Sequence, residues 1–394
     1  MPPDTPEADT QVVKTLLALR AVVGDASPAR VVAAVRQTRH VATARLAAGP
    51  GAVVLDVDGI AARTLVQCVL EPGLSRVLED LLDFAGAELH VHRVPGLGGR
   101  TFADLRAACV DACVVGLVRP DGSPLLNPPP QTALGPDDAV VVLAEDETPP
   151  TWTATTATPL PPPAAATAVD TRAAPRRVVV LGWNRRGPEI VDGLARNGWE
   201  AVREKTLPAP DPAHHVLVLG GPDDHPDPDE HTLVTLLRLR AGEREPGPRS
   251  PTVAELTDAQ HRPLAPAGAH TDLVVGGRLV GLLMAQVSQT VELAAAFDEL
   301  FSPAGNAVRL RPATDYVPAG TEAPFATLVE AAGRQGATAL GYRPGDSPVP
   351  LLNPSKTGTR RWSHEDTLIV VTTTAGPFQP QEGPARAADT PVFP

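Results

Sequence analysis

Leu125-Leu126-Asn127-Pro128 returns as Leu351-Leu352-Asn353-Pro354, 226 residues further along the chain. Each copy is followed by an acidic turn and a short apolar strand: Asp137-Asp138 before 139–143, and Glu365-Asp366 before 367–371. Working outward, Gln67 and Ala85-Gly86 fall on Gln286 and Ala304-Gly305 at an offset of 219. Further out, Ala18-Leu19-Arg20 closes the segment 12–17 as Arg238-Leu239-Arg240 closes 233–237, at an offset of 220. Three landmarks in one order, at a nearly constant spacing, mark a tandem repeat.

The fold follows from what lies between the landmarks. Val178-Val179-Val180-Leu181 is a β-branched apolar run that stops at Gly182, the pattern of a strand buried on both faces. The segment 189–197 then reads as a helix with Ile190, Val191 and Leu194 on one side and Asn197-Gly198 as its stop. Val216-Leu217-Val218-Leu219 before Gly220-Gly221 predicts a second strand, and 232–240 a second helix. In the first copy 53–56 ahead of 60–69 repeats the unit. Alternating strands and helices imply an α/β fold with a parallel, Rossmann-like sheet. Beyond each Ala-Gly landmark short strands surround one helix (102–108; 324–333), which predicts a small α+β lobe.

Subtracting 220 from the strand and turn at 177–187 places their counterparts before residue 1. The first module is therefore expected to be N-terminally truncated, without its opening strand, glycine turn and first helix. The expected partition is a partial sheet lobe at 1–90, its α+β lobe at 91–148, and a Pro/Ala/Thr linker at 149–174. A second sheet lobe at 175–305, its α+β lobe at 306–374 and a tail at 375–394 complete it. On this reading 1–148 alone should aggregate, whereas 175–378 should fold by itself.

Composition narrows the function classes. A net charge of −12 lacks the basic face that phosphate backbones require, so no nucleic-acid partner is expected. No apolar run approaches the roughly 18 residues of a membrane-spanning helix. The acidic, proline-containing start is not a signal peptide, which points to the cytoplasm. Three cysteines (Cys68, Cys109, Cys113) without a C-x-x-C read as buried free thiols rather than a disulfide framework or a zinc site.

A parallel-sheet lobe followed by a small lobe with a terminal strand of this type resembles the RCK (regulator of K+ conductance) domain. More narrowly, the second copy resembles the Castor/Pollux family of ion channels. The residues carrying this are Leu181-Gly182-Trp183-Asn184, the run from Thr271-Asp272-Leu273-Val274-Val275 to Leu282-Leu283-Met284-Ala285-Gln286, Phe297-Asp298-Glu299-Leu300-Phe301 and Pro312-Ala313-Thr314-Asp315-Tyr316. The resemblance implies two tandem RCK-like modules that act as a gating-ring-like regulator of a cation channel, with potassium as the ion. It implies a homo-oligomer and, as partner, a pore-forming membrane subunit or a missing N-terminal membrane region. It also implies a place at the inner face of the membrane through that partner, and no enzyme activity. Two other readings stand beside it: an NAD(P)-binding oxidoreductase on the same sheet, and a scaffold that has lost its channel role.

Two stretches are candidates for ligand chemistry. Gly182, Asn184, Arg185, Arg186 and Gly187 sit where a dinucleotide fingerprint would, between strand and helix. Asn184 replaces the second glycine, so the same stretch also reads as a structural turn, with the two arginines facing any anion at the helix start. Asp223, Asp224, Asp227 and Asp229 form an oxygen-rich loop of the kind Ca2+ uses, although without ordered ligand spacing it also reads as a solvated acidic loop. The cofactor is thus undetermined, Ca2+ and a nucleotide being the candidates. Asp272, Arg278, Asp298 and Asp315 are expected to shape contacts between lobes, and Asn127 and Asn353 to serve their turns. No catalytic set is indicated.

Overall fold

The computed structural model describes residues 7–24, 30–153, 176–207, 214–222, 225–242, 249–268, 270–302, 305–347 and 349–373. Asp223, Asp224 and Ala304, most of the expected linker and the expected tail lie outside these residues.

The first module opens with helix α1 (Ala8–Val23), strand β1 (Val32–Val35), helix α2 (Thr38–Ala48) and strand β2 (Val53–Asp56). β1 and β2 pair in parallel, Val35 opposite Asp56. Strand β1 was not expected: its Val-Ala-Ala-Val run is too short and too small in side chain to stand out as a periodic signal. Helix α3 (Val57–Leu70) follows directly, with Asp56 accepting the Gly59 N–H at 3.0 Å as its N-cap. Nearly every α3 residue is buried, the polar Asp58, Thr64 and Gln67 among them. Helix α4 (Leu74–Leu82) buries Leu74, Val77, Leu78, Leu81 and Leu82 along one stripe. The small lobe then runs β3 (Glu88–His92), α5 (Phe102–Ala108), β4 (Cys113–Val118), β5 (Pro124–Leu126) and β6 (Ala139–Ala144). Its antiparallel sheet has the order β3-β6-β4-β5, and the two all-buried strands occupy the middle.

The second module contains β7 (Arg176–Leu181), α6 (Gly187–Arg196), β8 (Trp199–Glu204), β9 (His214–Val218), α7 (Asp229–Gly242), β10 (Thr252–Leu256) and β11 (Thr271–Val275). These strands make a parallel sheet in the order β11-β10-β9-β7-β8. Helices α8 (Gly276–Gln289) and α9 (Leu293–Leu300) lead into the second small lobe. That lobe holds β12 (Asn306–Pro312), β13 (Glu322–Pro324), α10 (Phe325–Arg334), β14 (Thr338–Arg343), β15 (Leu351–Leu352), β16 (Thr359–Arg361) and β17 (Thr367–Thr373). Its main sheet, β12-β17-β14-β15, repeats the order of the first lobe.

The repeat is therefore structural. Both lobes shift register at the same place, between Val114 and Gly116 and between Ala339 and Gly341. At both glycines a Cβ would lie within 3.0 Å of the facing strand's backbone, at Leu125-Leu126 and at Leu351-Leu352. Asn127 and Asn353 have φ of 41° and 46°, and among the described residues no other non-glycine residue has a positive φ. The large sheets differ. The first module has two strands where the second has five, and no described residues correspond to β7, α6, β8 and β9.

One hydrophobic cluster runs through both modules. It joins Leu65 and Val66 of α3 to Ile190, Leu194, Leu217, Val253 and Val274, and α4 to Leu279 and Leu283 of α8. Helix α3 packs on α6, α8 and β10, and α8 packs back on β1. Gly193 and Gly276 permit this approach: a Cβ there would meet Val66 Cγ2 at 3.0 Å and Ala61 Cβ at 3.1 Å. The first residues of the expected linker are tied down. Trp152 bridges to Cys109 in antiparallel fashion, and the Thr153 N–H reaches the Ala108 carbonyl at 2.9 Å.

Candidate functional site

The turn after β7 is built around its glycines. Gly182 has φ of 81°, and a Cβ there would strike the Leu219 carbonyl and the His231 ring. A Cβ on Gly187 would meet the Trp183 ring within 3.0 Å. Trp183 is itself capped by the Arg203 guanidinium, 4.7 Å from the ring centre. Asn184 donates through Nδ2 to Glu255 Oε2 at 2.6 Å and accepts the Arg186 N–H at 3.1 Å. The Gly187 N–H is used inside the turn, on the Asn184 carbonyl at 3.1 Å.

The structure brings the five expected residues together and adds two that were not expected. Asp58, in the first turn of α3, accepts from Arg186 Nη1 at 2.9 Å, Arg185 Nε at 2.5 Å and Arg185 Nη2 at 3.1 Å. Glu255 Oε1 lies 2.5 Å from Arg186 Nε as an ion pair without the alignment of a straight hydrogen bond. Glu255 also accepts the Gly220 N–H at 3.2 Å. Burial alone would depress the Arg186 pKa, but Glu255 and then Asp58 outweigh it and hold the guanidinium charged. The groups that phosphates would approach thus face two carboxylates, one from each module. The arrangement is a latch between modules, not a phosphate cradle. Glu255 had a sequence signal: it is a lone charge inside the apolar run Thr252-Val253-Ala254-Glu255-Leu256. Asp58 had none, because its partners lie 127 and 128 residues away.

The acidic loop is anchored in a different way. Asp229 is fully buried and accepts from the Thr257 N–H and Oγ1, the Asp258 N–H and His261 Nδ1, at 2.7 to 2.9 Å. A carboxylate offers about four lone-pair positions, so all of them are taken. The hydrogen bond to Asp229 raises the His261 pKa. Asp227 accepts the Asp229 N–H at 3.1 Å, and it brings a ligand atom within 4.8 Å of those of Asp229 and His261. Ca2+ takes about 6–8 oxygens. Of the four expected aspartates the described residues supply two carboxylates, one of them saturated; Asp223 and Asp224 lie outside the described residues.

Many of the remaining polar contacts join the modules, and two sets of them occur as reciprocal pairs. Gln67 Nε2 donates to the Leu300 and Ser302 carbonyls at 2.9 and 2.8 Å. Its repeat partner Gln286 donates to the Leu82 carbonyl at 3.3 Å. Asn127 Nδ2 reaches the Gly336 carbonyl at 2.8 Å and Asn353 Nδ2 reaches the Asp111 carbonyl at 2.9 Å, at matching positions. Asp272 accepts from the Gly73 N–H at 2.5 Å and from the Ser75 hydroxyl at the start of α4. Burial raises its pKa. Arg278 pairs with Asp83 at 3.3 Å, and Asp298 pairs with Arg63 at 3.0 Å. Asp315 stays within its own lobe, where its carbonyl accepts from Gln335.

With this geometry in hand, the comparisons are informative. A family model described as "Castor and Pollux, part of voltage-gated ion channel" matches residues 58–158. The "Probable ion channel CASTOR" of Oryza sativa subsp. japonica is 23% identical over 443 residues, covering 93% of this chain and 49% of that protein. The "Ion channel CASTOR" of Lotus japonicus is 22% identical, covering 93% of this chain and 51% of that protein. The chain therefore spans about half the length of these relatives. In fold it is similar to the human SLO3 gating ring, with a TM-score of 0.64 at 12% identity, covering 94% of this chain and 85% of that one. Among the described residues no helix is long and apolar enough to cross a membrane.

Proposed function

We propose that this chain, a relative of the Castor and Pollux ion-channel proteins, is the gating-ring-like regulatory part of a cation channel. In this role it senses a ligand or ion and passes the response to a pore carried by a membrane subunit or region. The observation that carries the reading is the joint between modules. Helix α3 of one module covers the sheet of the other, α8 returns the packing, reciprocal Gln contacts tie α3 and α8 to the ends of α9 and α4, and reciprocal Asn contacts join the two small lobes. Such a joint transmits a change in one sheet to the other without chemistry. A non-catalytic role accords with the turn at Gly182–Gly187, whose arginines are turned to Asp58 and Glu255. That pairing also counts against the oxidoreductase reading.

The test is to join the full chain behind the pore of a two-helix potassium channel and record currents from liposomes while Ca2+, K+ and nucleotides are varied. Light scattering on the free chain runs in parallel. The expected result is ring-sized assembly and an open probability that depends on at least one of these ligands. A strictly monomeric chain that leaves conduction unchanged, or one that turns over NAD(P)H, would refute the proposal.

A further inference from the structure

Helices α3 and α8 are counterparts at the offset of 219 set by Gln67 and Gln286, yet they are covered unequally. In α3 the face made by Asp58, Ala62, Val66 and Val69 is buried. Asp58 holds Arg185 and Arg186, Val66 meets Gly193 of α6, and the Val69 carbonyl lies 2.8 Å from His215 Nδ1 of β9. The same face of α8 is Gly277, Gly281, Ala285 and Ser288, and the last three are exposed. A Cβ on Gly281 would meet no neighbouring atom within 4 Å.

The sheet beside α8 is unpaired on the matching side. The Val53 N–H bonds to the Val31 carbonyl at 2.9 Å. In a parallel ladder this turns Val31, Ala33 and Val35 toward β2, and the backbone groups of Val32 and Ala34 the other way. Among the described residues no strand pairs with that edge. In the second module the corresponding edge is taken: the Pro251 carbonyl accepts the Val216 N–H at 2.9 Å, and β9 runs parallel to β10. Ala34 is 4% exposed, so bulk water does not serve its outward N–H. Buried backbone donors without partners are rare in folded proteins. Arg30 Nη1 donates to the Gln289 carbonyl at 2.9 Å, so the edge of β1 and the face of α8 meet in one corner.

The corner's chemistry defines what fits it. The edge takes a parallel strand through its main chain. Gly281 and Ala285 let a helix approach as closely as Gly193 lets α6 approach α3. Gly277 stands where Asp58 does, so the incoming turn needs no cation. A second copy of this chain is a poor source, because its β7, α6 and β9 are already built into its own second sheet. We propose that this corner is the docking surface for a strand–helix unit of another chain, which completes the first sheet. Resting on the regulatory reading above, that other chain is the pore-bearing subunit.

The test adds a separate polypeptide of residues 176–222, which carries β7, α6, β8 and β9, to the full chain. Calorimetry should show one polypeptide bound per chain. Amide exchange over 31–35 should slow at least about tenfold on binding. Val32→Pro removes only an outward N–H, and Gly281→Leu adds bulk where the parent has open space, so both variants keep the fold. Each should weaken binding at least about tenfold. No binding by wild type, or binding that survives both variants, would overturn the proposal. So would self-association of the free chain that Gly281→Leu abolishes, since the corner then belongs to a second copy. The channel fusion measures gating separately, so a chain that fails to dock can still gate, and one that fails to gate can still dock.

Discussion

Replacing Asp58 with Ala removes the first module's half of the latch. The perturbed atoms are well defined: Asp58 is 8% exposed and Arg186 9%, while Arg185 is 26% exposed. Stripping a partner from a buried ion pair costs about 3–5 kcal/mol. Glu255 remains beside Arg186 and moderates that cost, and Arg185 is exposed enough to turn to water for about 0–1 kcal/mol. The sum expected for Asp58→Ala is about 2–4 kcal/mol. Urea unfolding of the full chain measures it, with Trp183 fluorescence reporting the turn and circular dichroism the whole. Combined with Arg186→Met, which by itself strands Glu255, the double variant should cost at least about 1 kcal/mol less than the sum of the two single variants. The same variant tests the other use of the turn. With Asp58 absent, pyrophosphate should raise the melting temperature, whereas in the parent chain it should not. A cost of Asp58→Ala under about 0.5 kcal/mol, or strict additivity in the double variant, would refute the latch.

Asn127→Ala should cost about 1 kcal/mol more than Asn127→Gly, since both lose the cross-lobe bonds but only alanine resists a φ of 41°. Chemical denaturation should give the same ranking at Asn353, and equal costs at either site would remove the backbone argument. His215 sits below the ordinary histidine range through burial, despite its 2.8 Å hydrogen bond to the Val69 carbonyl. Its folded pKa is lowered, so its neutral form serves stability fully above the unfolded value of about 6.5. As pH falls through that value the unfolded chain takes the proton first, and stability drops. His215→Gln should flatten the fall in stability between about pH 7.5 and 5.5, and an unchanged pH slope would contradict this. Residues 1–148 and 175–378, made separately, should each bind an apolar dye and melt broadly, and mixing them should restore a cooperative melt. A sharp melt for 175–378 alone would show that the α3 contact is dispensable.

That last expectation departs from the sequence reading, in which 175–378 folds alone, and the reason is general. The landmarks at Gln67/Gln286 and Asn127/Asn353 were visible because a repeat is a comparison of the chain with itself. What those residues bond to was not visible, because each reaches across the joint to a backbone carbonyl, which no side-chain pattern announces. Strands with continuous β-branched runs, such as β4, β6 and β7, could be read directly. β1 could not, and it is held by pairing with β2 and cover from the helices α1 and α2. At the Gly182 turn the sequence identified the residues and left their partner open. Asn184 reads as a damaged phosphate loop until Glu255 appears opposite it.

The paired Asn and Gln contacts have the form of an isologous interface, in which each residue's counterpart makes the same bond in return. In a dimer of identical chains a substitution enters such an interface twice, once on each side. Written on one chain, the two sides mutate independently, and the association no longer depends on protein concentration. The divergence is visible in the bonds: the Thr338 hydroxyl donates a hydrogen bond to Asn127 Oδ1 at 2.8 Å, while its counterpart Cys113 points a thiol at the Leu340 carbonyl at 3.7 Å. Each half is then free to lose symmetry wherever one copy of a feature suffices.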